Sequence, residues 1–243
     1  MGGRRASQRQ RSNRILAAPS APRFETHEEQ IMNPRSQPSI AELHVGDEPG
    51  IWEGLGFVVE HNRCRIGTVD IVFTPDEPGI HGWVLRHSSS TDFGPLPTST
   101  VDTPIPDRAA PHPNRSIGFD HVVLSVPSFE EGMTAVAATG VLVPEPRPFG
   151  APDKRMLRSA PPMGDLELEL IGPESRDSTR PWHLWGLVVT VDDIDSTTAL
   201  LGELLRPVKD AVQVGRRIVT VDKSAGSGVA IAFLGPQESG RAT

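Results

Sequence analysis

The chain has 243 residues, a hydrophobic content of 37% and a formal net charge of −7 at pH 7. This length allows a sizeable buried core, and the negative charge argues against a general nucleic-acid-binding protein, because phosphate contacts require clustered Lys and Arg. The single cysteine, Cys64, excludes an intrachain disulfide and indicates a reducing compartment, so we expect a cytoplasmic protein. No run of about eighteen apolar residues occurs, which predicts that the chain has no membrane span.

The first 38 residues are predicted to form a disordered basic tail. Arginine outnumbers glutamate there, and Ser, Gln and Pro are frequent, a composition that cannot bury enough apolar surface to fold. The pair Arg4-Arg5 is not followed by an apolar region long enough for an export signal. Met32 stands just ahead of the first predicted strand, and we therefore expect translation to start at Met32.

Residues 39–88 are predicted to fold around strands and one short helix. Residues 40–45 and 68–73 have the β-branched and apolar character of strands, and residues 47–56 between them have the character of a short helix with Gly56 as its C-cap. Residues 89–113 follow as a predicted linker, because repeated prolines among Ser, Thr and Asp favour an extended segment that runs over the surface.

A divergent internal repeat occupies the C-terminal half of the chain. Each copy opens with an apolar strand that runs into an acidic helix start, and each ends with an apolar strand followed by Gly-Pro. A repeat of this length indicates two copies of one supersecondary unit, neither of which buries its apolar face alone. We therefore predict a domain over residues 114–238 with one unit at 118–174 and a second at 183–236.

Short motifs mark these units. In the repeat they are Asp120-His121-Val122-Val123, Pro127-Ser128-Phe129-Glu130, Leu168-Glu169-Leu170 and Val191-Asp192-Asp193-Ile194-Asp195, and ahead of it Trp52-Glu53-Gly54-Leu55-Gly56-Phe57. The set resembles the vicinal oxygen chelate superfamily, which includes the glyoxalase-like and bleomycin-resistance-like proteins. The resemblance implies an α+β fold in which tandem βαβββ units form a glyoxalase-like open barrel. It also implies that residues 39–88 form a shortened βαβββ-like unit.

The resemblance further implies a divalent metal in the barrel, held by one residue from the first strand and one from the last strand of each unit. Carried over to this sequence, the four positions are His121, Glu169, Gly186 and Ala232. An imidazole and a carboxylate suit iron, manganese, nickel or zinc. Gly186 and Ala232 have no side-chain ligand atom, whereas a catalytic metal site normally keeps three protein ligands. The predicted metal site of His121 and Glu169 is therefore incomplete.

Strand alternation supports the placement of these two residues in a cleft. Successive side chains of a strand alternate between its faces, so His121 and Ser125 lie on one face and the apolar Val122 and Leu124 lie on the other. In the last strand of the first unit, the same alternation places Glu167 and Glu169 on the face away from the leucines. Of the adjacent Arg216 and Arg217, only one reaches the cleft, where an arginine recognises a carboxylate or phosphate. We predict His121 and Glu169 as catalytic residues, and Glu167, Ser125, Thr190 and Arg217 as substrate-binding residues.

Two functions of different classes remain open. As an enzyme, the protein acts on a small oxygenated or anionic molecule by lyase- or isomerase-type proton transfer beside a carbonyl, or by ring cleavage. His121 and Glu169 then either hold a metal weakly or act without one. As a binding protein, it sequesters or senses a small molecule, which the resemblance to bleomycin-resistance-like proteins implies. A homodimer is expected in either case, because units of this superfamily often pair between chains.

Overall fold

The computed structural model of the chain describes residues 37–75, 77–109, 111–151 and 155–238. The predicted tail over residues 1–38, apart from its last two residues, and the predicted start at Met32 lie outside the described residues. The described strands are β1 Ser39–Val45, β2 Arg63–Ile66, β3 Val69–Phe73, β4 Ile80–Arg86, β5 Thr98–Val101, β6 Ser116–Ser125, β7 Arg147–Phe149, β8 Met156–Ser159, β9 Glu167–Pro173, β10 His183–Val191, β11 Lys209–Asp210, β12 Arg217–Thr220 and β13 Ala230–Leu234. The described α-helices are α1 Pro49–Gly54, α2 Phe129–Ala138 and α3 Ile194–Leu201.

The first C-terminal unit has the order β6-α2-β7-β8-β9. Strand β6 pairs with β9 in parallel, and β9, β8 and β7 follow as antiparallel neighbours. The alternation in β6 buries Val122 and Leu124 completely, against the helix layer. Ser128 caps α2 by accepting a hydrogen bond from the Glu131 amide, and the acidic first turn of α2 complements the helix dipole.

The second unit repeats this arrangement as β10-α3-β11-β12-β13. Strand β10 pairs with β13 in parallel, β13 and β12 are antiparallel, and Asp193 caps α3 through two backbone amides. Strands β6 and β10 run antiparallel side by side and join the two units. In this pairing His121 lies opposite Val188, and Val123 lies opposite Gly186. Ser128 and Asp193, the N-caps of the two helices, follow His121 and Gly186 at the same spacing, so Gly186 is the counterpart of His121 in the second unit.

The N-terminal module is a reduced form of the same arrangement. Strand β1 pairs with β3 in parallel, β3 pairs with β2, and β4 runs antiparallel to β1 as β10 does to β6. Strand β5 pairs with β4 in parallel, which is the position of the last strand in a complete unit. The module thus contains one shortened unit and the first and last strands of another.

The segment assigned to a linker at residues 89–113 packs as part of this module. It contains β5, and Phe93 is fully buried with its ring edge-on to Trp83 at a centroid distance of 4.9 Å. The expectation of an unpacked surface segment is wrong over this stretch. Its few apolar residues are isolated among prolines, so they give no periodic pattern, yet Phe93 and Leu96 are buried in the core.

The module and the two C-terminal units share one core. The rings of Phe57 and Phe233 stack at 6.0 Å, and Leu184 of β10 pairs with Ile80 of β4. The buried carboxylate of Asp47 accepts hydrogen bonds from the Ser227 hydroxyl and the Gly228 amide. These contacts fix the module against the barrel. Within the described segments, no helix has the length and apolarity needed to cross a bilayer.

Candidate active site

A β-bulge in β6 shapes the candidate site. Val188 of β10 pairs with His121, but the next residue, Val189, pairs with Phe119. Asp120 is therefore an extra residue in β6, and a bulge of this kind redirects a side chain that strict alternation would place on the other face. Because of the bulge, the consecutive residues Asp120 and His121 both face the cleft between the two units.

The side chains at the bulge form a continuous polar chain. His121 Nδ1 lies 2.9 Å from Asp120 Oδ2, and His121 Nε2 lies 3.6 Å from Glu169 Oε2. At the outer end, Arg158 Nη1 lies 3.5 Å from Glu169 Oε1. At the inner end, Arg216 Nη1 donates to Asp120 Oδ1 at 2.9 Å and Nε donates to the Gly235 carbonyl. This chain of polar side chains thus has an arginine at each end, Arg158 and Arg216.

Asp120 carries its charge in this arrangement. Burial acts to raise its pKa, but the hydrogen bond with His121 and the charges of His121 and Arg216 outweigh that effect and hold the pKa below its ordinary value. The side chain is 16% exposed, so these interactions are only partly screened by water. A charged Asp120 accepts the Nδ1–H proton of His121 and leaves Nε2 directed at Glu169 and the cleft.

The cleft has a volume of about 990 Å³. Strands β6, β8 and β9 form one wall, and β11, β12 and the turn between them form the other. The lining combines the polar chain with cations near the opening, which are Arg147 and Lys209, and with apolar residues, which are Val188, Val212 and Ile218. A second cavity of about 570 Å³ adjoins it through Asp120, Glu167 and Gln213, and reaches the β2–β3 turn of the N-terminal module.

The structure brings together three of the residues assigned from the sequence. His121 and Glu169 face each other across 3.6 Å, and Glu167 lines both cavities. Thr190 lines only the smaller cavity, beside the N-terminal module. Ser125 does not line the cleft; its hydroxyl accepts a hydrogen bond from Arg180 at 3.2 Å, at the far end of β6.

The assignment of Arg217 to the cleft is wrong. Its guanidinium binds both carboxylate oxygens of Asp195, at 2.7 and 2.8 Å, and its Nε binds Glu238. Arg217 therefore lies on the helix side of the sheet, next to the start of α3. The adjacent Arg216 faces the cleft and binds Asp120. Only one arginine of the adjacent pair reaches the cleft, as predicted, but it is Arg216 and not Arg217.

Asp120, Arg158 and Arg216 are site residues that sequence reasoning did not assign. Strict alternation places Asp120 on the face opposite His121, and only the bulge brings the two together. No single-sequence signal marks the position of a bulge. The sequence signal for Arg216 is its position next to Arg217: the side chains of adjacent strand residues point to opposite faces, so one of the two arginines must face the cleft.

The residues present do not fit a metal centre. The register places Gly186 opposite Val123 and Ala232 opposite Val188, so neither offers a side-chain donor to the cleft. Two of the acidic groups near His121 are already bound to cations, Asp120 to Arg216 and Glu169 to Arg158. Among the residues that the structure describes, no three His, Cys, Asp or Glu side chains are grouped to hold a metal ion. The site is instead built from ion pairs.

Comparison with known proteins identifies the fold. No protein-family model and no curated protein sequence matches the chain. A solved fusion protein of a xylose isomerase-like TIM barrel and a 4-hydroxyphenylpyruvate dioxygenase is similar at 12% identity, with a TM-score of 0.53 over 84% of this chain and 50% of that chain. A match of this extent includes the N-terminal module as well as the two C-terminal units.

Shorter matches reach about half of the chain. Methylmalonyl-CoA epimerase from Mycobacterium tuberculosis is 16% identical, with a TM-score of 0.39 over 51% of this chain and 91% of that chain. A hypothetical protein from Bacillus halodurans is 15% identical, with a TM-score of 0.38 over 51% of this chain and 96% of that chain. The chain has an α+β fold built from tandem βαβββ units, which it shares with the fusion protein, and the fold class predicted from the sequence is confirmed.

Proposed function

We propose that the protein is an enzyme that moves a proton at a carbon next to a carbonyl group of a small oxygenated molecule. The observation that carries this proposal is the Asp120–His121 pair in the cleft, with Glu169 facing the free imidazole nitrogen. A histidine that is held by a carboxylate on one nitrogen and open on the other is a common arrangement of a general base.

Asp120 orients His121 for this role. Its carboxylate accepts the Nδ1–H proton, so in the neutral imidazole the lone pair lies on Nε2. Arg216 holds Asp120 in turn, and its second hydrogen bond to the Gly235 carbonyl anchors the guanidinium to the backbone. The base is therefore positioned by two elements of different units, which limits its rotation.

The proton balance uses the residues of this chain alone. The proton of the substrate C–H bond moves to His121 Nε2, and the electron pair of that bond delocalises onto the carbonyl oxygen as an enolate. Asp120 and Glu169 lie on either side of the imidazolium and stabilise its charge. Return of the proton from His121 to another carbon of the delocalised anion completes an isomerisation.

Solvent exchange tests the proposal without knowledge of the natural substrate. The protein is incubated in deuterium oxide with a panel of 2-oxo acids, 3-oxo acids and acyl thioesters, and loss of the C–H signal is followed by proton NMR. We expect exchange in at least one compound, and a fall of about 100-fold or more in its rate for His121→Gln. Glu169→Gln should slow the exchange about tenfold, because the imidazolium loses one of its two partners.

Matched variants separate a catalytic effect from a general one. His183→Gln and Glu203→Gln change exposed side chains that do not line the cleft, and both should retain the wild-type rate. Equal exchange rates in wild type and His121→Gln would reject the proposal.

Binding without catalysis is the alternative function. The missing donors at Gly186 and Ala232 favour it, because they remove half of the positions that the superfamily resemblance assigns to a metal. Binding without catalysis is indicated if a compound of the panel binds, no C–H signal exchanges, and Glu169→Gln changes only the affinity for that compound.

A further inference from the structure

Two arginines lie directly opposite each other near the opening of the cleft. In the antiparallel pair of β7 and β8, Arg147 is in register with Arg158, so both side chains project from the same face of the sheet. Both line the cleft. Like charges placed directly opposite on neighbouring strands destabilise a sheet. An anion bound between the two arginines would relieve this repulsion.

The cations at the opening are weakly compensated by the protein. Arg158 contacts Glu169 at 3.5 Å, whereas Arg147 forms no ion pair with any described residue. Lys209, on the opposite wall, likewise forms none within the described segments, although it lines the same cleft. By contrast Arg216 and Arg217, deeper in the fold or behind the sheet, are each bound to carboxylates. Arg147 and Lys209, which have no described carboxylate partner, therefore face the cleft from both walls.

The acidic residues of the opening limit what fits there. Glu145 and Asp210 also line the cleft, on the same walls as Arg147 and Lys209. A polyanion that extended along the opening would meet these carboxylates and lose affinity through like-charge repulsion. A compact group with one carboxylate fits between the two arginines without reaching Glu145 or Asp210.

The arginine pair is close to the proposed base. Arg158 and His121 contact opposite oxygens of the same Glu169 carboxylate, at 3.5 and 3.6 Å. A short molecule bound at Arg158 therefore extends to His121 Nε2. Resting on the proposed function, we infer that Arg147 and Arg158 form a carboxylate clamp and that the substrate is a short-chain oxo acid, whose carboxylate binds the clamp while the carbon next to its carbonyl group meets His121.

Calorimetric titration tests the clamp independently of turnover. The probe is oxamate, an unreactive molecule with one carboxylate and one neutral carbonyl, and citrate serves as the polyanion. We expect oxamate to bind wild type, and Arg147→Gln and Arg158→Gln each to weaken its binding about tenfold, which is the cost of one charge-assisted hydrogen bond. Citrate should bind more weakly than oxamate. Arg155→Gln, next to the same strand but outside the cleft, is the matched control and should bind oxamate as wild type does.

Thermal unfolding gives a second readout that a purely structural arginine would not produce. In buffer without small anions, Arg147→Gln should melt about 1–3 °C above wild type, because the like-charge pair is removed. With saturating oxamate the order should reverse, since wild type binds oxamate about tenfold more tightly and gains more stability from it. Oxamate binding that is absent in wild type, or unchanged in both clamp variants, would overturn the inference.

The two proposals fail separately. His121→Gln should still bind oxamate, because His121 is not part of the clamp. If clamp variants retain oxamate affinity while His121→Gln abolishes exchange, the carboxylate clamp is wrong and the proton-transfer function stands. If oxamate binding depends on the clamp but His121→Gln exchanges as fast as wild type, the reverse holds.

Discussion

Asp120 is the residue on which the proposed chemistry depends most after His121. Asp120→Asn keeps the size of the side chain but removes the charge and introduces an amide that can donate to His121 Nδ1. The imidazole then adopts the tautomer with its proton on Nε2, which cannot act as a base. We expect the exchange rate to fall about 100-fold, with little change in affinity for oxamate. NMR exchange rates and calorimetry on the same samples measure the two quantities.

The control for this substitution is a second aspartate in an arginine pair. Asp165 binds Arg108 at 3.0 Å beside the smaller cavity and has no contact with His121. Asp165→Asn should keep the wild-type exchange rate. If Asp120→Asn exchanges as fast as Asp165→Asn, Asp120 does not orient the base.

At the scale of elements, the segment between β5 and β6 is held in place by a buried histidine. His112 is 6% exposed; its Nδ1 accepts from the Val58 amide at 3.0 Å, and its Nε2 lies 3.0 Å from the Arg65 carbonyl. Burial lowers the pKa of His112 from the ordinary 6.5, against a smaller opposing effect of the Arg65 carbonyl. A proton on Nδ1 would face the Val58 N–H and break that bond.

This histidine should make the fold less stable in mild acid. Because its pKa is lower in the folded than in the unfolded chain, its contribution is complete above 6.5 and is lost as the pH falls toward the folded pKa. The free energy of unfolding should fall by up to about 1.4 kcal/mol per pH unit over that range. Urea unfolding at pH 7.5, 6.5 and 5.5 measures it.

His112→Gln isolates the effect, since glutamine does not titrate. Its stability should be lower than that of wild type at pH 7.5 but should vary less between pH 7.5 and 5.5. His183→Gln, at an exposed position, should keep the wild-type slope. A wild-type slope in His112→Gln would show that other groups cause the acid sensitivity.

For the molecule as a whole, the sequence predicted the parts that depend on regular alternation. Leu168-Glu169-Leu170 and the helix starts at Ser128 and Asp193 repeat with enough regularity to give both βαβββ units and the positions of His121 and Glu169. The bulge at Asp120 and the packing of Phe93 depend on pairing with distant strands, which a single sequence does not encode in any local pattern. The partners of His121 and the packing of the proline-rich segment 89–113 therefore depend on tertiary pairing.

Because the N-terminal module and the barrel are in contact, we expect them to unfold as one cooperative structure, and a substitution of Asp47 tests this. Its buried carboxylate accepts from Trp52 Nε1 at 3.0 Å, the Ser227 hydroxyl at 2.7 Å and the Gly228 amide at 2.7 Å. Asp47→Ala leaves the indole and amide donors buried without a partner, so we expect a loss of about 3 kcal/mol in the free energy of unfolding. Urea unfolding followed by tryptophan fluorescence and by circular dichroism measures it.

The comparison variant is Asp222→Ala, which removes an exposed carboxylate that accepts from the Ser224 amide within its own turn. It should cost about 1 kcal/mol or less, as expected for a local cap. If module and barrel are one cooperative structure, Asp47→Ala shifts both optical transitions together to lower urea. Fluorescence is recorded in a Trp182→Phe, Trp185→Phe background, so that Trp52 and Trp83 report the module, while the circular dichroism reports the whole sheet. Separation of the two transitions in wild type, or a shift of the fluorescence transition alone in Asp47→Ala, would show that the module unfolds independently and that the smaller cavity beside its β2–β3 turn is not a fixed part of the site.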